Sequence, residues 1–186
     1  MRAVHRLATL DDAKRLLEIR RSSILELTAP GMSALESQFW AAQLALVGMK
    51  RKLRELETWL AELDGAVAGW GAIRGDYLEG LYTAPEFAGR GVGGTLLEML
   101  EGLMRERGVP AVRAEASSNA RDFYLRRGYR STGAQSPDGA WPMAKRLWPK
   151  GLARQLPDDA LNRLQRLIFL APEATLRPEM AGRLAP

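Results

Sequence analysis

The run Ala88-Gly89-Arg90-Gly91-Val92-Gly93-Gly94-Thr95 is where this sequence most plainly concentrates chemistry. Glycines carry no Cβ, so their backbone N–H groups can converge on an anion, and the amino end of a following helix adds partial positive charge. The spacing predicts a pyrophosphate cradle, with Arg90 either assisting through its side chain or lying solvated on the loop. Several kinds of nucleotide site use glycines this way, so context must choose among them. A P-loop needs Gly-Lys-Ser/Thr, and no lysine follows here. A dinucleotide fingerprint opens a parallel βαβ unit, with an acidic residue about 20 positions on. Glu115 lies roughly there, but the segment before the glycines reads as an antiparallel meander.

Composition removes other chemistries. The chain of 186 residues has no cysteine and one histidine, His5. A disulfide framework, a thiolate metal site and a cysteine nucleophile are excluded together, and a histidine-based metal site or Ser-His-Asp triad is disfavoured. No metal is expected. His5 falls in a short first-strand pattern and reads as edge packing. The net charge of +5 comes from scattered basic residues without interleaved aromatics, so no nucleic-acid partner is expected. The segment Met1 to Arg6 lacks an apolar signal core, and no run of about 18 apolar residues occurs. No membrane contact is expected, and a cytoplasmic location follows as the default.

The elements that must position the glycine loop can be read from periodicity. Ala3 to Leu7 is a short strand, and Thr9 caps a helix running to about Ile24, with Asp11 and Asp12 in its first turn. Thr28-Ala29-Pro30-Gly31 breaks it. Ser33 and Glu36 form a capping box for a second helix. Phe39, Trp40, Leu44 and Val47 are expected on its apolar side, with Gly48 at its end and a short turn over 50–56. The period then changes to two. Thr58 to Leu63, Ala66 to Ile73 and Tyr77 to Thr83 form a three-strand meander, turned at Asp64-Gly65 and Gly75-Asp76. Thr95 to Arg107 is an amphipathic helix carrying Leu96, Leu97, Leu100, Leu103 and Met104. Val109 to Ala116, a short helix over Ala120 to Arg127, and strands over Tyr129 to Gly133 and Ala140 to Leu147 complete the order. This is an α+β arrangement around a mixed, largely antiparallel sheet of about seven strands. Residues 149–186 hold five of the ten prolines and one helix pattern after Asp158, with Leu161, Leu164, Leu167 and Ile168 in register. They are read as a C-terminal helical extension folded back on a domain spanning 1–148; a lid or a homodimer contact is the sharper alternative.

Two motifs within this frame resemble the GNAT superfamily of acetyl-CoA-dependent N-acetyltransferases. Leu81-Tyr82-Thr83-Ala84-Pro85 followed by Gly89-Arg90-Gly91-Val92-Gly93-Gly94 is similar to that family's fourth strand and pyrophosphate loop. Ala120-Arg121-Asp122-Phe123-Tyr124-Leu125-Arg126-Arg127-Gly128-Tyr129 is similar to its Ala-x-x-Phe-Tyr-x-x-x-Gly-Phe pattern. The resemblance spans about Val4 to Leu147 and implies a GNAT-type acyl-CoA N-acyltransferase fold. It departs from the family at Ala88, where Gln or Arg is usual, and at Ser117, where Asn is common.

The resemblance further implies acetyl-CoA as co-substrate and transfer to a primary amine of a small-molecule or peptide acceptor by direct attack. Cofactor contacts carry over to Leu81, Tyr82, Thr83, Gly89, Arg90, Gly91, Val92, Gly93, Gly94, Thr95, Ser117 and Tyr124, with the pantetheine lying along the fourth strand. A backbone N–H within Leu81 to Thr83 would face the acyl oxygen. Tyr124 is implied as the acid that protonates the departing thiolate. The amine must also lose a proton. Glu79, on the strand entering the loop, is the best-placed carboxylate; Glu115 is its rival, and ordered water without a dedicated base is the third possibility. The first two helices, about Asp11 to Gly48, would wall the acceptor site. A non-catalytic acyl-CoA-binding regulatory module is the alternative function.

Overall fold

The computed structural model describes residues 3–28 and 33–147. The extension over 149–186, with its expected helix after Asp158, lies outside the described residues. Among the described residues one sheet of seven strands has the order β1-β2-β3-β4-β5-β7-β6. The strands are β1 (Val4–Leu7), β2 (Glu57–Leu63), β3 (Ala66–Arg74), β4 (Tyr77–Thr83), β5 (Ala111–Ala116), β6 (Arg130–Ser131) and β7 (Trp141–Arg146). Every pairing is antiparallel except β4 with β5.

The β2–β3 turn is made by Asp64 and Gly65, both with positive φ, at 55° and 78°. That is the geometry whose twist suits a two-residue hairpin, and it explains the Asp-Gly pair. Farther along, β3 pairs with β4 through Ile73↔Leu78 and then Ala72↔Gly80, so Glu79 is an extra residue bulged out of β4. Such a bulge re-aims the side chains that follow it.

Helices cover both faces. On one face, α1 (Ala13–Leu27) lies over β3 and β4, α3 (Leu46–Glu55) lies against β2 and α1, and α2 (Ala34–Ala42) packs on α1. Leu16, Ile19, Met49, Leu60, Trp70 and Ala72 form the core there, and the Trp70 indole donates to the Leu16 carbonyl at 2.9 Å. On the other face, α4 (Val92–Glu106) and α5 (Arg121–Leu125) close over β3, β4 and β5. Leu96, Leu97, Leu100 and Met104 of α4 are almost wholly buried. Each such side chain contributes about 2 kcal/mol relative to exposure, which fixes α4 on the sheet.

Ser33 and Glu36 do form the expected capping box of α2. The second helix, however, ends at Ala42, and Gly48 lies inside α3 rather than ending α2. A glycine is tolerated there because α3 buries Met49 and leaves most of its length outward. The expected apolar packing of α2 is also corrected: Phe39 is 61% and Val47 81% exposed, and Trp40 lies at the margin. The buried side of α2 consists instead of Ser37 and Ala41, with Ser37 Oγ 3.0 Å from Thr28 Oγ1. Finally, α4 begins at Val92, three residues ahead of the expected Thr95, so Gly93 and Gly94 belong to its first turn.

Candidate active site

The site begins where β4 and β5 part. Their parallel pairing covers only Tyr77↔Arg113 and Leu78↔Ala114. Beyond it β5 continues beside β7, and β4 runs on beside β3 from Gly80 to Thr83. The result is a wedge with one unpaired edge of β4 as its wall. Ala84 N–H donates to the Ala68 carbonyl of β3 at 2.8 Å. Strand alternation then turns the N–H groups of Leu81 and Thr83 toward the open side, where a main-chain acceptor could take them.

At the wide end of the wedge stands the amino terminus of α4. Gly89 and Gly91 have φ of 75° and 82°, a left-handed conformation that strains any residue with a Cβ. Gly91 is the N-cap and supplies no side-chain cap; the first helical bond is Thr95 N–H to the Gly91 carbonyl at 3.0 Å. The amides of Val92, Gly93 and Gly94 therefore have no intrahelical partner, as at any helix start. A Cβ on Gly93 would sit 3.1 Å from Thr83 Oγ1 and 3.7 Å from the Phe123 ring. The missing side chain keeps the loop, the end of β4 and α5 in close approach. This is a cradle that fits a diphosphate.

The remaining expected residues divide by what they touch. Val92 is buried in the core, and the Thr95 hydroxyl caps back onto the Val92 carbonyl at 3.1 Å. The Arg90 guanidinium lies 3.3 Å from Asp64 and over the Phe87 ring. Leu81 packs toward α4, whereas Tyr82 turns its ring to the α1 face, 4.8 Å from Trp70. Ser117, at the end of β5, donates to Asn119 Oδ1 at 2.8 Å, and its carbonyl receives the amides of Ala120 and Arg121 that start α5.

Tyr124 on α5 is buried between Phe123 and Tyr129, with ring centroids 5.2 and 5.0 Å away. Burial, reinforced by the nearby Tyr82 phenol, raises its pKa well above the ordinary phenol value. The hydroxyl is thus held neutral, able to donate a proton and poorly able to remain an anion. Behind it, Tyr129 faces Glu101, and burial together with that carboxylate raises the Tyr129 pKa as well. Glu101 is buried and bonded to Lys145 Nζ at 2.6 Å. Motif and spacing did not single out this group beneath Tyr124.

Glu79 is held by Arg74, whose Nε donates to Oε1 at 2.9 Å and whose Nη2 reaches the same oxygen. It also borders a cavity of about 210 Å³ on the α1–α3 face, with Arg20, Gln43, Lys52, Trp70 and Tyr82 in the wall. Glu115 stands instead beside Tyr77, raising the phenol pKa that burial already lifts. Of the two carboxylates, only Glu79 borders this cavity. Arg20 escaped notice in the sequence. Its signal is an arginine on the apolar stripe of α1, one turn beyond Leu16 and three residues after Leu17, where it is 9% exposed. Among the described residues no group of three or more potential ligands is arranged to hold a metal, and no helix is long and apolar enough to cross a membrane.

Comparison with known proteins agrees with this fold. No curated protein matches the chain in sequence. Among solved structures, a GCN5-related N-acetyltransferase from Rhodopseudomonas palustris is 30% identical with a TM-score of 0.74, covering 79% of this chain and 97% of that one. The PaiA N-acetyltransferase of Thermoplasma acidophilum, solved in complex with coenzyme A, shares the fold at 21% identity and a TM-score of 0.68, covering 78% of this chain and 99% of its own. The YncA putative acetyltransferase of Salmonella typhimurium, solved with acetyl-CoA, does so at 18% identity and a TM-score of 0.62, covering 85% and 99%. Residues 28–147 match the family model described as the acetyltransferase (GNAT) domain, and the chain belongs to that family.

Proposed function

We propose that this protein uses acetyl-CoA to acetylate a primary amine by direct attack. The observation that carries the reading is the unpaired edge of β4 meeting the uncapped amino end of α4. One offers main-chain N–H groups along an extended arm, and the other offers converging amides to a diphosphate. The solved relatives named with coenzyme A or acetyl-CoA support the same assignment. Acetyl-CoA supplies an activated acyl carbon and a thiolate leaving group.

The chain's own residues would then do the following. Gly91 to Gly94 would bind the diphosphate through main-chain N–H groups, as at other helix starts. Leu81 and Thr83 N–H groups would hold the arm and polarise the acyl oxygen as its charge grows. As the C–N bond forms and the C–S bond breaks, Tyr124 would give its proton to sulfur and recover one from solvent. Glu79 would take the amine proton, directly or through water, at Oε2, since Arg74 engages Oε1.

Calorimetric titration with acetyl-CoA, CoA and NAD tests the reading, followed by a thiol-release screen of amines. Binding of both CoA species without NAD, and amine-dependent thiol release, is the expected result. Binding with no release for any amine would instead favour a regulatory acyl-CoA module. No binding at all would remove the cradle assignment.

A further inference from the structure

The cavity on the α1–α3 face contains a cation with unspent hydrogen-bonding capacity. Arg20 is 9% exposed and lines the cavity. Its Nη2 donates to the Trp40 carbonyl at 3.1 Å, and Nη1 is buried with no partner among the described residues. A guanidinium is always charged and forks toward two oxygens at once, so one carbonyl leaves most of its capacity unused. A buried, underpaired arginine is costly unless something anionic completes it.

The surroundings supply no such group. Arg20 forms no ion pair among the described residues, and the Tyr82 ring lies 6.0 Å from the guanidinium carbon. Lys52 adds a second positive charge to the same wall, also without an ion pair among the described residues. The one acidic residue in the wall, Glu79, is already bonded to Arg74. Trp40 lies near the carboxyl end of α2, so its carbonyl carries the helix's partial negative charge and offsets part of the arginine. The cavity therefore keeps a net positive wall at Arg20 and Lys52 and one carboxylate at the β4 bulge.

We propose that this cavity selects acceptors bearing a carboxylate, which Arg20 binds, and that the natural acceptor is a compact amino acid or similar zwitterionic amine. The inference rests on the acetyl-transfer reading for what happens to the amine, but not for the binding of the carboxylate. A volume of about 210 Å³ limits the acceptor's size, given that cavities of roughly 150 Å³ admit benzene. Arg20 would clamp the carboxylate and Lys52 would add attraction. Glu79 would face the ammonium end, toward the wedge. Tyr82 joins the two sites, because its ring lies under Arg20 and its phenol lies near Tyr124.

The test compares amino acids with their own decarboxylated amines, for example leucine with isoamylamine and phenylalanine with phenethylamine. Two readouts are used: calorimetric binding in the presence of CoA, and acetyl-CoA-dependent thiol release. In the unaltered protein the carboxylate form of at least one pair binds about tenfold to a hundredfold more tightly. Arg20→Gln collapses that ratio toward unity, and Arg20→Lys, which keeps the charge but loses the fork, gives an intermediate ratio. Acetyl-CoA affinity serves as the fold check for each variant, and if Arg20→Gln fails it, Arg20→Lys and the unaltered protein still give the ratio. Equal or better binding of the decarboxylated amines by the unaltered protein overturns the proposal, as does a ratio that neither variant changes. Arg20-dependent binding of amino acids without thiol release would keep the carboxylate site and sink the transfer reading. Release with every amine regardless of carboxylate would do the reverse.

Discussion

Tyr124 acquires its character chiefly from where α5 buries it, with the nearby Tyr82 phenol acting in the same direction. Its ring is enclosed by Phe123 and Tyr129, and burial lifts its pKa. A phenol whose pKa is raised stays protonated throughout the working range, so it can act as an acid without first being recharged. Tyr124→Phe should lower kcat by about a hundredfold, the lower end of what a positioned acid contributes, with acetyl-CoA affinity little changed. Steady-state kinetics beside calorimetry checks both halves. Because the pKa is raised, the alkaline limb of the unaltered enzyme's rate should show no fall attributable to this phenol below about pH 10, its unperturbed value. A kcat unaffected by the substitution would mean that solvent protonates the thiolate.

At the scale of elements, two irregularities make the site. The bulge at Glu79 and the early end of β4–β5 pairing together leave a strand edge uncovered in the middle of a sheet. Exposed edges are normally avoided because they recruit other strands, so an interior one is a feature the fold must accommodate deliberately. The α4 terminus is the other. Gly93 approaches Thr83 and Phe123 so closely that a valine there would press on both β4 and α5. Gly93→Val should therefore weaken acetyl-CoA binding by more than about tenfold while costing about 1–3 kcal/mol of stability through overpacking. Titration with acetyl-CoA beside urea unfolding separates the two effects. Normal affinity in a folded Gly93→Val protein would place the diphosphate elsewhere.

Over the whole molecule, ion pairs tie distant segments of a basic chain together. Arg6 on β1 bonds Glu62 of β2 at 2.8 Å and Asp12 at 2.9 Å, fastening the amino-terminal strand to the start of α1. Hydrogen bonds from Arg6, and from the Thr9 amide and hydroxyl, hold the Asp12 pKa down at about 2, against 3.8 ordinarily. The folded value lies below the unfolded one, so the carboxylate's contribution is complete above about pH 4. It is lost as pH falls through about 2. Asp12→Asn should accordingly destabilise the protein at neutral pH and progressively less below about pH 4. Urea midpoints at the two extremes test this; a constant difference would mean that Asp12 acts through packing rather than charge.

Local rules in the sequence determined much of this protein. The hairpin at Asp64-Gly65, the capping box at Ser33 and Glu36, the amphipathic stripe of α4 and the glycine loop that leads into it are all short-range features, set by residues within a few positions of one another. Such features are legible because the backbone conformations they require admit few residue types. What the sequence left open depended on contacts between distant segments. Whether Phe39 and Val47 are core or surface is decided by what covers α2 and α3, and the described fold leaves both exposed. Gly48 looked like a helix end, yet packing of Met49 carries α3 through it. Glu79 and Glu115 were equivalent strand carboxylates until the register gave one a cavity and Arg74, and the other Tyr77. Arg20 is the extreme case. In sequence it interrupts an apolar stripe. Only the closing of α2 and β4 around it makes it a buried charge in search of an anion, because burial is a property of the assembled chain and not of any segment.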